Sequence, residues 1–171
     1  MAFSSDGKTI ASASHDKTIK LWKPDGTLLA TLAGHRDKVT NVTFNPKTHT
    51  IASTSEDNSV KLWERENNFV KTLHRHQDVV NAVAFSPDET LIASASDDNT
   101  VNLWHKDGTL QTTLNETDKV QDVAFSPNSQ LIATASQDKN VKVWKRDGTL
   151  LTTLKEKDKV NQVAFSPNDK K

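Results

Sequence analysis

The sequence predicts an all-β chain made of four copies of one four-stranded antiparallel unit, and three observations carry that prediction. The tryptophans Trp22, Trp63, Trp104 and Trp144 are spaced by 41, 41 and 40 residues. Phe3, Phe44, Phe85, Phe125 and Phe165 keep the same register, at 41, 41, 40 and 40. No segment holds apolar residues at helical spacing long enough for a helix, whereas short alternating runs recur throughout. A fixed period of this length means stacked units or radial blades. From Trp104 to Asn128, 18 of 25 positions are identical to those from Trp144 to Asn168, so the copies are close relatives, and no linker or domain boundary separates them.

Each unit reads as four strands in order. The innermost carries Val-x-x-Val-x-Phe, as Val39, Val42, Phe44 and again as Val80, Val83, Phe85; Val120, Val123, Phe125; and Val160, Val163, Phe165. A Ser-Pro-Asp-like turn follows, as at Ser86-Pro87-Asp88, where Pro and Asp favour a tight reversal. The second strand is Ile-Ala-Ser-Ala-Ser or close to it, starting at Ile10, Ile51, Ile92 and Ile132. The third alternates towards the tryptophan, as in Thr100-Val101-Asn102-Leu103-Trp104. Asp25-Gly26, Asp107-Gly108 and Asp147-Gly148 are two-residue hairpin signals, and Asn67-Asn68 takes their place in the second unit. The fourth strand is Thr-Leu-x-x-Thr-Leu, as from Thr109 to Leu114.

Gly34-His35, the Ser-x-Ser-x-Asp stretches and the tryptophans together resemble the WD-repeat β-propeller family over essentially the whole chain. The resemblance implies, within each blade, a buried hydrogen-bonded tetrad of Trp, Ser or Thr, Asp and the His of a Gly-His pair. Two tetrads are complete: His35, Ser53, Asp57 and Trp63, then His76, Ser94, Asp98 and Trp104. A third set, Thr134, Asp138 and Trp144, has Glu116-Thr117 where Gly-His belongs. The first set, Ser12, Asp16 and Trp22, needs an inner strand from elsewhere, and the C-terminal one is preceded by Lys155-Glu156, again without His. The residue after each Trp is Lys23, Glu64, His105 or Lys145, so Trp-Asp itself is absent, and His76 follows Arg75. Weaker polar cross-bracing is expected in the blades that lack His, at about 1 kcal/mol for each lost buried hydrogen bond.

Ser, His and Asp in one cluster also raise a hydrolase reading. Against it, a triad occurs once, whereas this set recurs in each blade and always travels with Trp, whose indole N–H needs a buried acceptor. His74-x-His76 raises a metal site, but on a strand those side chains face opposite ways. No metal, cofactor or catalytic residue is expected. Lys38, Lys119 and Lys159 occupy equivalent rim positions behind Asp37, Asp118 and Asp158, which reads as a solvated rim with its charge offset.

The blade boundaries are read as residues 1–34, 35–75, 76–115 and 116–155, followed by a C-terminal inner strand in 156–171, all within one unit of 1–171. The first blade begins at the end of an inner strand, Ala2-Phe3, and the last inner strand, Lys159 to Phe165, has no blade behind it. Propellers use about 4 to 8 blades, and the resemblance implies seven or eight for blades of this length. The expectation is a homodimer in which each C-terminal strand completes the first blade of the other copy, giving an eight-bladed ring with two-fold closure. A strained four-bladed monomer, another ring size, or a piece of a longer or engineered array remain alternatives.

Charge and composition narrow the function classes. With 22 basic and 22 acidic residues the formal charge is zero, which removes the simplest argument for nucleic acid or an anionic membrane. No apolar run approaches the roughly 18 residues of a membrane span, and the N-terminus lacks a signal-peptide pattern. Without cysteine there is no disulfide or thiol chemistry, which is compatible with the cytoplasm. The family resemblance implies a non-catalytic docking platform for an unidentified protein. Its ligand-facing positions would be Lys38, Thr40, Val79, Asn81, Lys119, Gln121, Lys159 and Asn161, with His15, Glu56, Asp97 and Gln137. A self-assembling piece with no dedicated ligand is the alternative, and a propeller enzyme is the third. The last would need residues that break the repeat, and only 64–70 departs much from it.

Overall fold

In the computed structural model, which describes residues 1–48, 50–64 and 69–167, the alternating segments form sixteen strands and no helix among those residues. The first blade holds β1 (Ala2–Phe3), β2 (Ile10–Ala13), β3 (Thr18–Trp22) and β4 (Leu28–Ala33). The second holds β5 (Val39–Phe44), β6 (Thr50–Ser55), β7 (Ser59–Glu64) and β8 (Phe69–His74). The third holds β9 (Val80–Phe85), β10 (Leu91–Ser96), β11 (Thr100–His105) and β12 (Leu110–Asn115). The fourth holds β13 (Val120–Phe125), β14 (Leu131–Ser136), β15 (Asn140–Lys145) and β16 (Leu150–Lys155). Each is an antiparallel meander in chain order, and the four sheets do not close into a ring.

Turn chemistry sets these boundaries. Lys17, Asn58, Asn99 and Lys139 all have positive φ between the second and third strands, where the preceding Asp accepts the N–H two residues on, as Asp98 does from Thr100 at 3.0 Å. The Asp-Gly hairpins place Gly26, Gly108 and Gly148 at positive φ. At Gly108 an added Cβ would also lie 2.7 Å from the Leu73 and Lys71 side chains of the neighbouring blade, which would have to shift to admit it. The expected Asn67-Asn68 turn lies outside the described residues.

The core lies between the blades. Ala11, Ile19 and Leu21 of the first blade meet Val39, Val42, Ile51 and Trp63 of the second. Ala52, Val60, Leu62 and Leu73 meet Val80, Val83, Ile92 and Trp104 in the next interface. Ala93, Val101, Leu103 and Leu114 meet Val120, Val123, Phe125, Ile132 and Trp144 in the third. Each of these three tryptophans therefore packs backwards on the preceding blade, and each fourth-strand leucine packs forwards. The third blade, covered on both faces, buries all six residues of β10, as a doubly covered sheet does.

The inner strands carry a β-bulge. Val39 pairs with Ser55 and Asn41 with Thr54, which leaves Thr40 as the extra residue; Asn81 and Gln121 are its equivalents. This lets valines three apart, such as Val39 and Val42, share one buried face, which a regular strand forbids.

Two sequence expectations change. The first blade has a short inner strand of its own, β1, paired as Ala2↔Ala11 and Phe3↔Ile10. The C-terminal segment expected as an inner strand lies along the fourth blade, but its described residues, 156–167, join no ladder. Its Val160 N–H reaches Ser136 O at 3.1 Å, as Val39 N–H reaches Ser14 O at 3.1 Å, and its Val163 N–H reaches Asp122 Oδ2 at 3.0 Å. It is docked as an inner strand, with no second strand paired to it among the described residues.

Candidate functional site

In the second blade, donor and acceptor chemistry alone orders the tetrad. Trp63 Nε1–H donates to Ser53 Oγ at 2.8 Å, because indole only donates. Ser53 then has its own proton free for His35 Nε2, 2.8 Å away. His35 Nδ1–H donates to Asp57 Oδ2 at 2.9 Å, since a carboxylate only accepts. The third blade repeats this with Trp104, Ser94, His76 and Asp98 at 2.9, 2.8 and 2.8 Å. The imidazole works neutral, and burial holds His35 below its ordinary range against the pull of Asp57. Burial also pushes Asp57 upward, but hydrogen bonds from Ser59, the Arg36 N–H and His35 outweigh it and hold the carboxyl at about 2. Asp98 is lowered in the same way, burial being overcome by His76, Thr100 and the Gln77 N–H. Ser53 and Ser94 have no exposed surface, so neither hydroxyl meets a substrate, which removes the hydrolase reading of these clusters. Of the two histidines weighed as metal ligands, His74 is exposed while His76 points into the tetrad.

In the fourth blade, where weaker bracing is expected for want of His, a different polar set fills the place. Trp144 Nε1 donates to Thr134 Oγ1 at 3.1 Å, and Thr134 donates to Glu116 Oε1 at 2.6 Å. Lys142 sits between two carboxylates, bonded to Glu116 Oε2 and 3.5 Å from Asp138 Oδ2, while Thr117 Oγ1 donates to Asp138. A carboxylate thus replaces the imidazole, and an ammonium replaces its N–H link to Asp. Sequence reading named Glu116 only as a departure from the pattern and did not single out Lys142. The available clue was a Lys two residues before Trp144 paired with an acid in the His position.

In the first blade Trp22 Nε1 donates to Ser12 Oγ at 2.9 Å, and Asp16 caps the following turn through Thr18. Lys20 lies 3.6 Å from Asp16.

Of the residues expected to face a ligand, Thr40, Asn81 and Gln121 are the bulge residues, and Lys38, Val79 and Lys119 lie near them in sequence. Lys38 pairs with Glu56 at 3.1 Å, and Lys119 with Asp97 at 2.7 Å, so these lysines are ion-paired rather than merely solvated. Asp37 and Asp118, expected to offset them, instead accept the lysines' own backbone N–H groups at 2.9 and 2.8 Å. Asn81 Nδ2 donates to Asp97 at 2.7 Å and to Val120 O of the next blade at 2.9 Å; Gln121 adds a 3.3 Å bond to Asp97. Thr40 Oγ1 donates likewise to Val80 O of the blade after its own. The bulge thus turns a polar side chain onto the neighbouring blade. His15, Lys159 and Asn161 are exposed, and Val79 and Gln137 half-buried. On another edge, a groove of about 880 Å³ opens between the second and third blades, lined by residues that include Asn45, Lys71, Phe85, Asp88 and His105.

The family model described as WD domain, G-beta repeat, matches residues 1–23, 26–64, 67–105 and 108–145. A stretch of 42 residues, 25% of this chain, is 50% identical to 9% of the nuclear distribution protein PAC1 of Tuber melanosporum (strain Mel28). Over 43 residues, again 25% of the chain, it is 46% identical to 10% of the nuclear distribution protein nudF of Aspergillus terreus (strain NIH 2624 / FGSC A1156). The similarity therefore spans about one repeat of this chain and a tenth of each relative's length.

Proposed function

This chain belongs to the WD domain, G-beta repeat family, and from that premise we propose that it is a non-catalytic protein-binding scaffold of the cytoplasm that assembles by inner-strand exchange between two copies. One observation carries the assembly: the two outer blade faces are the unmatched halves of an interface the chain makes three times. Leu154 is 53% exposed where Leu73 and Leu114 are 3% and 1% exposed. Trp22 is half-buried where Trp63, Trp104 and Trp144 are buried. Exposed apolar faces and an unpaired inner segment invite association. Because one face is the complement of the other, the contact is head-to-tail, and two-fold closure would give eight blades.

On exchange, Val163-Ala164-Phe165 would take the position that Met1-Ala2-Phe3 holds beside β2. Phe3 is 59% exposed, so its displacement uncovers little. Light scattering of the purified chain across concentration tests the proposal. A particle of twice the chain mass supports it, and a monomer at all concentrations overturns it.

For the docking face, Lys38, Thr40, Asn81, Lys119 and Gln121, with His15, Glu56, Val79, Asp97, Gln137, Lys159 and Asn161, offer a polar surface of mixed charge to a protein partner. A second reading, self-assembly with no dedicated ligand, is favoured by the internal pairing of Lys38 with Glu56 and of Lys119 with Asp97. Capture with the wild type and with Lys38→Glu/Lys119→Glu as baits separates the two. A protein held by the first and lost by the second supports the docking face, whereas identical captures favour self-assembly alone.

A further inference from the structure

The first blade is a fourth-blade brace with one member missing. In the fourth blade Trp144 donates to Thr134 at 3.1 Å, Thr134 Oγ1 lies 3.4 Å from Lys142 O, and Lys142 Nζ lies 3.5 Å from Asp138. In the first blade Trp22 donates to Ser12 at 2.9 Å, Ser12 Oγ lies 3.5 Å from Lys20 O, and Lys20 Nζ lies 3.6 Å from Asp16. The three distances nearly coincide, and the residue types correspond. What the fourth blade adds is Glu116, which accepts from Thr134 and pairs with Lys142. Around that acid the Lys142 side chain is 11% exposed, whereas Lys20, without one, is 36% exposed.

In the His-bearing blades the residue at this position does not bridge to an acid in the His place. Beside His35, Lys61 turns away and donates to Thr72 Oγ1 at 2.7 Å. Beside His76, the position is Asn102, with its amide 3.2 Å from the ring. Among the described residues, the third-strand lysine with the least exposed side chain is the one paired with Glu116.

Glu156 stands in the place of Glu116. It precedes Val160 by four residues, as Glu116 precedes Val120. Its N–H donates to Lys139 O at 2.8 Å, as Glu116 N–H donates to Asn99 O at 2.9 Å. It is exposed, and the segment behind it is already docked as an inner strand.

We propose that Glu156 of one copy enters the first blade of a second copy, accepts a hydrogen bond from its Ser12 and pairs with its Lys20, fixing the register and the partner of the exchanged strand. This rests on the strand-exchange reading above and names the groups that recognise each other. The occupant of the open first blade is then a second copy of this chain, because its acid, its lysine and its hydroxyl form the set the chain already uses once. In the place of Glu116 the acid would sit buried, where reversing one partner places like charges together.

Sedimentation equilibrium of four samples tests this: wild type, Glu156→Lys, Lys20→Glu, and an equimolar mixture of the two variants. Each single variant is expected to dimerise about a hundredfold more weakly than wild type. The mixture is expected to recover near-wild-type dimers. In each mixed pair one bridge keeps its native charges and the other forms with both charges reversed, so no like charges meet. Both positions are at the surface of the single chain, so circular dichroism should show both variants folded. Variants that dimerise like wild type, or a mixture no tighter than its components, would overturn the Glu156–Lys20 bridge while leaving strand exchange standing. A monomeric wild type would overturn strand exchange itself, and the bridge with it.

Discussion

Replacing Lys142 by methionine leaves Glu116 and Asp138 facing each other at a buried site without the cation between them. Breaking a buried pair by removing one partner costs about 3 to 5 kcal/mol, so Lys142→Met should lower the stability measured by urea unfolding by that order. Glu116→His combined with Lys142→Asn installs the third-blade set and should recover most of the loss. Acid should act on the same braces in two stages. Burial holds the His35 imidazole below 6.5, so the unfolded chain binds the proton first; this contribution is full above pH 6.5 and drains as pH falls through the folded value. Asp57, held at about 2, contributes stability that is full above 3.8 and drains as pH falls towards 2. Tm followed from pH 7.5 to 3 should fall modestly first and steeply below 4; a flat profile to pH 3 would contradict both. The sequence made His35, Ser53, Asp57 and Trp63 legible because each residue type has one natural partner in the set. Glu116 read as a loss because its compensating lysine stands 26 positions away and belongs to no brace of the His-bearing kind.

The strands were legible from alternation, turn residues and period, because those features report local geometry. The bulge was also written in the sequence, as Val-x-x-Val, a spacing that cannot share one face of a regular strand. Its consequence for Thr40, Asn81 and Gln121 was not legible, since it depends on where the next blade's carbonyls lie. Asn81 bonds both Asp97 and Val120 O. Asn81→Ala should therefore weaken the join between the third and fourth blades by roughly 1 to 2 kcal/mol, with hydrogen exchange in β13 accelerating more than in β6. Equal acceleration in both strands would show that the side chain does not tie blades together. The fate of the C-terminal segment was half legible: its pattern predicts an inner strand, but a ladder needs a second backbone, and pattern alone supplies none.

For the molecule as a whole, equivalent leucines offer a direct measure of which faces are covered. Leu114→Ala removes a side chain packed against the fourth blade and should cost about 2 to 5 kcal/mol. Leu154→Ala, at the open face, should cost less than about 1 kcal/mol in dilute solution and more as concentration rises, if a second copy covers it. Thermal unfolding of both variants at low and high concentration reads the difference. Ring size was not legible, because the same interface chemistry serves any number of blades.

The placement of the braces bears on how such chains change in length. The last three matched stretches run from the outer strand of one blade through the third strand of the next, and each contains both halves of a brace: His35 with Asp57, His76 with Asp98, Glu116 with Lys142. A duplication or deletion cut at those seams moves a bonded pair together and never parts it. Blade number is therefore free to drift by whole units during inheritance, while the polar chemistry inside each such unit stays internally matched.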